Sequence, residues 1–246
     1  MTRSAPKSRA ATQTRPARRR RSAEETRKIL LEAGTQLALT SLEAEDAGDG
    51  GPLAHIRVQD VVREASRTQD TSVTTGALYN IWPSQRAFQV DLMFYILREG
   101  AYPSAEPILA LAGELFAQRL PLTEIGARLS DTSFRLETES RLARAAVAFT
   151  ALADVPAVRE ALRSAHDALL ESGRKLYSQL LTYGGLRVRE PYTLDQLITV
   201  MAALTDGLLV KAAIVPEQFE APEEAPSLVA AASEAVFNRF CEPVDE

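Results

Sequence analysis

Cysteine is almost missing from this chain of 246 residues: Cys241 stands alone near the C-terminus. No intrachain disulfide can form, and a reducing, cytoplasmic compartment is the expected setting. Histidine is nearly as scarce, with only His55 and His166, too few imidazole and thiolate ligands for a His/Cys metal site. No uninterrupted apolar run has the length of a membrane span and no apolar-cored leader opens the sequence, so no membrane is expected among the partners. Aromatics make up 6% while Ala and Leu abound and period-two alternation is nearly absent, which favours helices over strands. Catalytic motifs are missing as well. Gly-x-Ser-x-Gly, His-Glu-x-x-His and Cys-x-x-Cys do not occur, and the glycines at 48–51 lack the Gly-Lys-Ser/Thr ending of a phosphate loop. His166 and Asp167 are neighbours on one helix and point different ways. Neither enzyme activity nor a cofactor is expected.

What is there begins with charge. The formal total of −5 hides a polarity, because residues 1–30 hold ten basic residues against Glu24 and Glu25. That is +8 at one end and −13 for the rest, an acidic body with a basic arm that suits a polyanion at one end only. Residues 1–21 contain no Leu, Ile, Val or Phe and cannot bury apolar surface, so they are expected to be disordered when free. The same lack of an apolar face disfavours a transit peptide. An inert solvated tail and a DNA-binding arm centred on Arg18, Arg19, Arg20 and Arg21 both stay open.

Helical punctuation then organises the chain. Ser22 and Glu25 form a capping box for a first helix reaching about Ser41, with Ile29, Leu30, Ala33 and Leu37 on one face. An acidic, glycine-rich connection covers 42–55. A second helix is predicted from Arg57 to about Ser66, a long polar turn over 67–72, a short third helix from Thr74 to Asn80, and a fourth from Ser84 to about Arg98. Gly100, Pro103 and Pro107 mark the expected domain boundary, giving segments 1–21, 22–100 and 101–246. Beyond it, helices are predicted over 107–118 and 122–136, from Thr138 with Leu142, Ala146, Phe149 and Ala153 on a stripe, and from Pro156 to the Gly184-Gly185 stop. Thr193 and Gln196 cap another that Pro216 closes, and a last helix spans about 226–240. The predicted fold class is all-α, with an N-terminal three-helix head joined to a larger helical domain.

The second and third helices have the pattern of a helix-turn-helix. Val61, Val62, Ala65, Val73 and Leu78 face inward, leaving Thr74, Thr75, Tyr79 and Asn80 to offer hydrogen bonds to phosphates and base edges. With these residues in place the sequence resembles the tetracycline-repressor (TetR) family of transcriptional regulators. The resemblance lies in Val73-Thr74-Thr75-Gly76-Ala77-Leu78-Tyr79 through Trp82-Pro83-Ser84, in Thr26–Leu37, and in Val58–Ala65. Ile81 stands where the family often carries a second aromatic or His, and Gln85 where Lys is common, with Arg86 adjacent.

The resemblance implies a regulator, by expectation a repressor, that binds double-stranded DNA as a homodimer and responds to a small-molecule effector. Thr74, Thr75, Gly76 and Asn80 would lie in or near the major groove. Tyr79, Ser84, Gln85, Arg86 and Arg57 would meet the backbone, with the arginines of the arm clamping beside them. Phe116, Phe134, Phe149, Trp82 and Tyr177 are candidates to line the effector cavity, although as single residues each is more often plain core. Leu197, Met201, Leu204, Leu208, Val236 and Phe240 are the candidate dimer contacts. A second function stays open: a helical ligand-binding or scaffold protein whose head no longer binds DNA, for which Ile81, Gln85 and the long turn speak.

Overall fold

The computed structural model describes residues 21–41, 53, 55–68, 73–100, 105–220 and 225–244. The basic arm over 1–20, most of the acidic connection and the turn at 69–72 lie outside them. Helices dominate the described residues: α1 (Ala23–Ser41), α2 (Val58–Thr68), α3 (Thr75–Tyr79), α4 (Gln85–Gly100), α5 (Ala105–Ala117), α6 (Leu122–Glu139), α7 (Arg141–Thr150), α8 (Pro156–Gly184), α9 (Leu194–Ile214) and α10 (Leu228–Phe240). A two-stranded antiparallel ribbon, β1 (Leu186–Val188) with β2 (Cys241–Pro243), and a 3-10 turn at Pro216–Phe219 accompany them. The protein is all-α in class.

Both capping boxes form. The Glu25 N–H donates to Ser22 Oγ (3.0 Å) while the Ser22 N–H donates to Glu25 Oε2 (2.9 Å), and Thr193 and Gln196 repeat the exchange at 3.2 and 2.9 Å. Each satisfies first-turn donors that the helix itself leaves unpaired. Pro156 opens α8, and Gly185 closes it at φ 62, ψ 38, where a residue without a Cβ costs least. One expected start is corrected. Thr138 does not open a helix, because α6 runs through it and its hydroxyl donates to the Phe134 carbonyl (2.7 Å). Ser140 takes the cap instead, accepting from the Ala143 N–H (3.1 Å), and α7 ends at Thr150, which leaves Ala153 exposed beyond the helix rather than on its stripe.

The first core packs α1, α2, α3 and α4 around Leu30, Val61, Leu78, Phe88, Leu92 and Ile96, all fully buried. Gly34 lets α1 and α4 approach closely: a Cβ there would sit 2.9 Å from the Phe88 ring. Ala145, Ala146 and Phe149 of α7 and Val158 and Ala161 of α8 belong to the same core, so residues from both sides of position 100 share it. A smaller second core joins α5, α6 and α8 through Ile108, Ala112, Leu115, Ile125, Leu129 and Leu180.

The ribbon has no counterpart among the expected elements. Leu186, Arg187 and Val188 pair with Pro243, Glu242 and Cys241, and Arg187 and Arg189 reach Glu242 at 2.9 and 3.4 Å. Three-residue strands show no periodicity, and this pairing joins segments more than fifty positions apart, so only the folded chain reveals it. Burial pushes the Cys241 thiol up to about 11, as expected for a thiolate that would have to form away from water.

Candidate nucleic-acid interface

The helix-turn-helix is held from behind. Val58, Val61 and Ala65 anchor α2 in the core, and Leu78 anchors α3 with no exposed surface. Thr74 stands outside the helix at φ −113, ψ 155 and accepts from the Ala77 N–H (3.2 Å), which starts α3 sharply. The long turn between the two helices is closed at its neck. Ser66 Oγ accepts from the Val73 N–H (3.2 Å) and donates towards the Val73 carbonyl (3.4 Å). Whatever path residues 69–72 take, the ends of α2 and α3 are tied to each other.

The turn after α3 is pinned by one carboxylate. Asp91 of α4 accepts from two nitrogens of the Arg27 guanidinium, Nη2 at 2.7 Å to both carboxylate oxygens and Nε at 3.1 Å, and from Trp82 Nε1 at 2.8 Å. Charge-assisted bidentate bonds of this kind are short and directional. They fasten α1, α4 and the Trp82 turn at a single point, and the Trp82 ring lies edge-on to Phe88 at 5.0 Å. Trp82 is therefore a head anchor, and its expected place in an effector cavity is corrected.

What remains outward is a small polar face. Thr75, Gly76 and Asn80 are exposed, and Tyr79 is 48% exposed, a large aromatic left open to solvent. Ser84 is exposed but spends its oxygen on the Ala87 N–H (3.1 Å), capping α4. Gln85 turns inward: its Oε1 accepts from the Val58 N–H at 3.5 Å, a long contact at the start of α2. The side chain of this expected backbone contact thus reaches a helix terminus within the head. Gln89, which sequence reasoning missed, does related work. Its Nε2 donates to the Leu53 and Ile56 carbonyls, both at 3.1 Å, and so fixes the approach to α2. A lone Gln at that spacing carries no local signal.

The cations of the head sort into two groups. Lys28, Arg63 and Arg67 face Glu32, Asp60 and Glu64 on their own helices at 3.8, 3.2 and 2.7 Å. The Arg67 bond holds the Glu64 carboxyl below its usual range. Arg57 and Arg86 are exposed at the starts of α2 and α4, with no acidic partner among the described residues. Arg21 is partly exposed just before α1, whereas Arg18, Arg19 and Arg20 lie outside the described residues.

Away from the head, a cavity of about 480 Å³ opens between α6, α8, α9 and α10. Of the aromatic residues expected there, only Tyr177 lines it, and burial pushes its phenol upward. Phe116 stacks on Tyr183 at 4.7 Å and Phe134 on Phe219 at 5.6 Å, and Phe149 belongs to the first core. Helical spacing says that a residue faces inward, not which of its neighbouring interfaces it meets. The aromatic that does join Tyr177 on the wall is Phe237, 6.4 Å away centroid to centroid.

The residues expected at a dimer interface differ in exposure within the single chain. Leu197 is 0% exposed within its own chain, Met201 lines the cavity, and Phe240 tilts against Tyr192 at 4.6 Å. Leu204, Leu208 and Val236 are only partly open. The outward stripe of α9 is Val200, Ala203, Gly207, Val210 and Ile214, spaced by three or four, with Ile214 64% exposed. Leu228, Ala231 and Ala235 make a parallel stripe on α10. Helix α9 is long and apolar enough to cross a membrane by length and composition, although the sequence shows no uninterrupted run of that length. Only 22% of its most apolar stretch is buried.

No protein-family model matches the chain, and no curated protein matches it. Among solved structures it is similar to one described as a TetR-family transcription regulator from Shewanella sp. PV-4, with a TM-score of 0.54 and 19% identity over 90% of this chain and 100% of that one. Another, described as a TetR-family transcriptional regulator from Rhodococcus sp., has a TM-score of 0.49 and 18% identity over 87% of this chain and 98% of that one. Over the 90% of this chain that is matched, the fold is that of the Shewanella structure.

Proposed function

We propose that the protein is a sequence-specific DNA-binding transcriptional regulator, a repressor in its simplest mode, that acts as a homodimer and answers to a small-molecule effector. The observation that carries this reading is the outward face of α3. Thr75, Gly76, Tyr79 and Asn80 stand exposed on a helix whose opposite side is locked by Leu78 and whose flanks are tied by Ser66 and Asp91. A five-residue helix has no structural need for so much bracing. Bracing it makes sense when its solvent face must meet a rigid partner, and the major groove is such a partner. The shared fold with a TetR-family regulator supports the same assignment.

In this reading Thr75 and Asn80 offer hydrogen bonds to base edges, and Gly76 lets the helix approach closely. Tyr79 gives its hydroxyl to a phosphate, and Arg57 and Arg86 neutralise phosphates on either side. Thr74 and Ser84 contribute mainly as caps near the backbone. Arg18 to Arg21 extend the contact as a clamp. Residues 22–100 form the DNA-binding domain and 101–246 the effector and dimerisation domain. One short helix buries too little for specific affinity, so two heads are needed. The apolar stripes of α9 and α10 supply the pairing surface, two helices from each chain meeting around a two-fold axis. An effector bound in the cavity between α6, α8, α9 and α10 presses on both pairing helices and so changes the spacing of the heads.

The test is binding to duplex DNA from upstream of the protein's own gene, followed by anisotropy across a salt series, with sedimentation on the same sample. The expected result is a dimer at micromolar concentration whose DNA affinity falls steeply with salt. Removing residues 1–21 is expected to weaken all sequences alike and to flatten the slope by about 0.9 for each phosphate the arm no longer neutralises. A monomer that binds no DNA at low salt would favour the alternative, a helical ligand-binding protein with an inactive head.

A further inference from the structure

Two hydroxyls on the wall of the cavity have nothing to bond. Ser233 of α10 lines it and is only 8% exposed, and Tyr177 lines it from α8. Phe237 stands one turn beyond Ser233, and its ring lies 6.4 Å from that of Tyr177, which puts both hydroxyl-bearing residues on one stretch of wall. Neither hydroxyl has a hydrogen-bond partner among the described residues. Their neighbours do. On the same wall Thr205 donates to the Met201 carbonyl at 3.1 Å, and Ser133 to the Glu137 carboxylate at 3.1 Å. Tyr183, at 38% exposure, still donates to the Leu120 carbonyl at 2.8 Å. A buried serine in a helix commonly turns to the carbonyl one turn back, as Thr205 does. An unspent hydroxyl as deep as that of Ser233 asks for a partner from outside the chain.

The rest of the wall narrows the class of that partner. Leu129, Leu180, Val229 and Phe237 make it apolar, and about 480 Å³ is the size of a small-molecule site. The lining holds no Lys, Arg or His, so an anion would leave water without a counter-charge. Its two acids do not call for a cation, since Glu124 pairs with Arg128 and Glu234 is exposed. Each hydroxyl can still give a proton, and buried donors are left without a partner less often than buried acceptors. We propose that the effector is a neutral, mostly apolar molecule with a carbonyl-type oxygen, as in a ketone, ester or amide, that accepts from Tyr177 and Ser233. Its hydrocarbon part lies along Leu129, Leu180 and Val229. This inference rests on reading the cavity as the effector site and names the class of ligand for it.

Calorimetry on the full-length protein tests it with four probes of similar length: 5-nonanone, dibutyl sulfide, nonanoate and nonylammonium, below their aggregation limits. The ketone and the sulfide carry the same butyl arms on a strong and a weak acceptor. At about 0.15 M salt, where non-specific attraction to an acidic surface is largely screened, the ketone is expected to fill one saturable site per chain. Each ion should bind at least about tenfold more weakly. Tyr177→Phe and Ser233→Ala should each weaken the ketone about fivefold and the sulfide less than about twofold. Without ligand, both variants should keep the parent's denaturant midpoint, because no bond within the chain is lost. A lowered midpoint would mean that the hydroxyls serve the fold, and would overturn the inference. So would an ion that binds as tightly as the ketone, or variants that leave the ketone unaffected or weaken ketone and sulfide alike. If the ketone does not bind at millimolar concentration, the inference falls, while DNA binding, measured separately, stands or falls on its own.

Discussion

The head and the end of the molecule around α9 and α10 are both built of helices and finished differently. In the head, Leu30, Val61, Leu78, Phe88 and Leu92 are fully buried, and the spaces between elements are closed by specific polar ties at Asp91, Gln89 and Ser66. Around α9 and α10 the chain leaves a cavity of about 480 Å³ and two apolar stripes open to solvent. Protein interiors are normally packed to crystal density, so a void and a bare stripe in one place set this end apart from the head. A face that must meet a partner in fixed geometry is rigid before the partner arrives. On the proposed reading, a region that must respond to a ligand is left unfinished.

The largest expected effects break that contrast at α9. Val210→Arg places a charge on the open stripe and should raise the dimer dissociation constant at least ~100-fold while the single chain stays folded. Leu197→Ala, one face away, should lower the stability of the chain by about 3 kcal/mol through the cavity it leaves, with pairing affected only as a consequence. Sedimentation and denaturant unfolding on both variants separate the two. If Leu197→Ala dissociates a stable chain and Val210→Arg does nothing, the pairing face has been assigned to the wrong side of the helix.

The next effect concerns the head. Asp91→Ala leaves Trp82 Nε1 and the Arg27 guanidinium without their shared acceptor, both at partly buried positions. A loss of about 2 kcal/mol is expected by denaturant unfolding, together with weaker DNA binding, because the turn behind α3 is no longer pinned. A change within about 0.5 kcal/mol would mean that the apolar core alone holds the turn. Smaller still is Tyr79→Phe, which removes one hydroxyl from an exposed ring. It should leave stability unchanged and weaken binding to all DNA sequences roughly tenfold or less, as expected when a single hydrogen bond to a phosphate is removed. A change in sequence preference would place Tyr79 at a base edge.

How much of this was legible in the sequence follows from the range of the interactions involved. Ser22 with Glu25, Thr193 with Gln196, and Pro156 with Gly185 act within one turn of their own helix, and each appears in the structure where local spacing predicts it. Helix α3 was legible for the same reason, since Thr74 caps it and Leu78 anchors it. The inward turn of Gln85 depends on Val58, twenty-seven residues away, and the tie through Asp91 joins positions sixty-four apart. On α9, periodicity identified an apolar helix without saying which stripe its own chain covers, and Leu197 and Val200 differ by less than one turn. The cavity was harder still. Its walls come from α6, α8, α9 and α10, which no local pattern connects.

The central claim is that the braced outward face of α3 reads DNA as one of a symmetric pair. Selection of bound duplexes from a randomised pool by the full-length protein tests it most directly. The account expects an enriched inverted repeat with half-sites one or more helical turns apart, about 10 base pairs or a multiple, and a loss of enrichment at one position in each half-site for Thr75→Ala or Asn80→Ala. A pool that emerges with no enriched sequence, or an enriched sequence indifferent to Thr75, Tyr79 and Asn80, would contradict it.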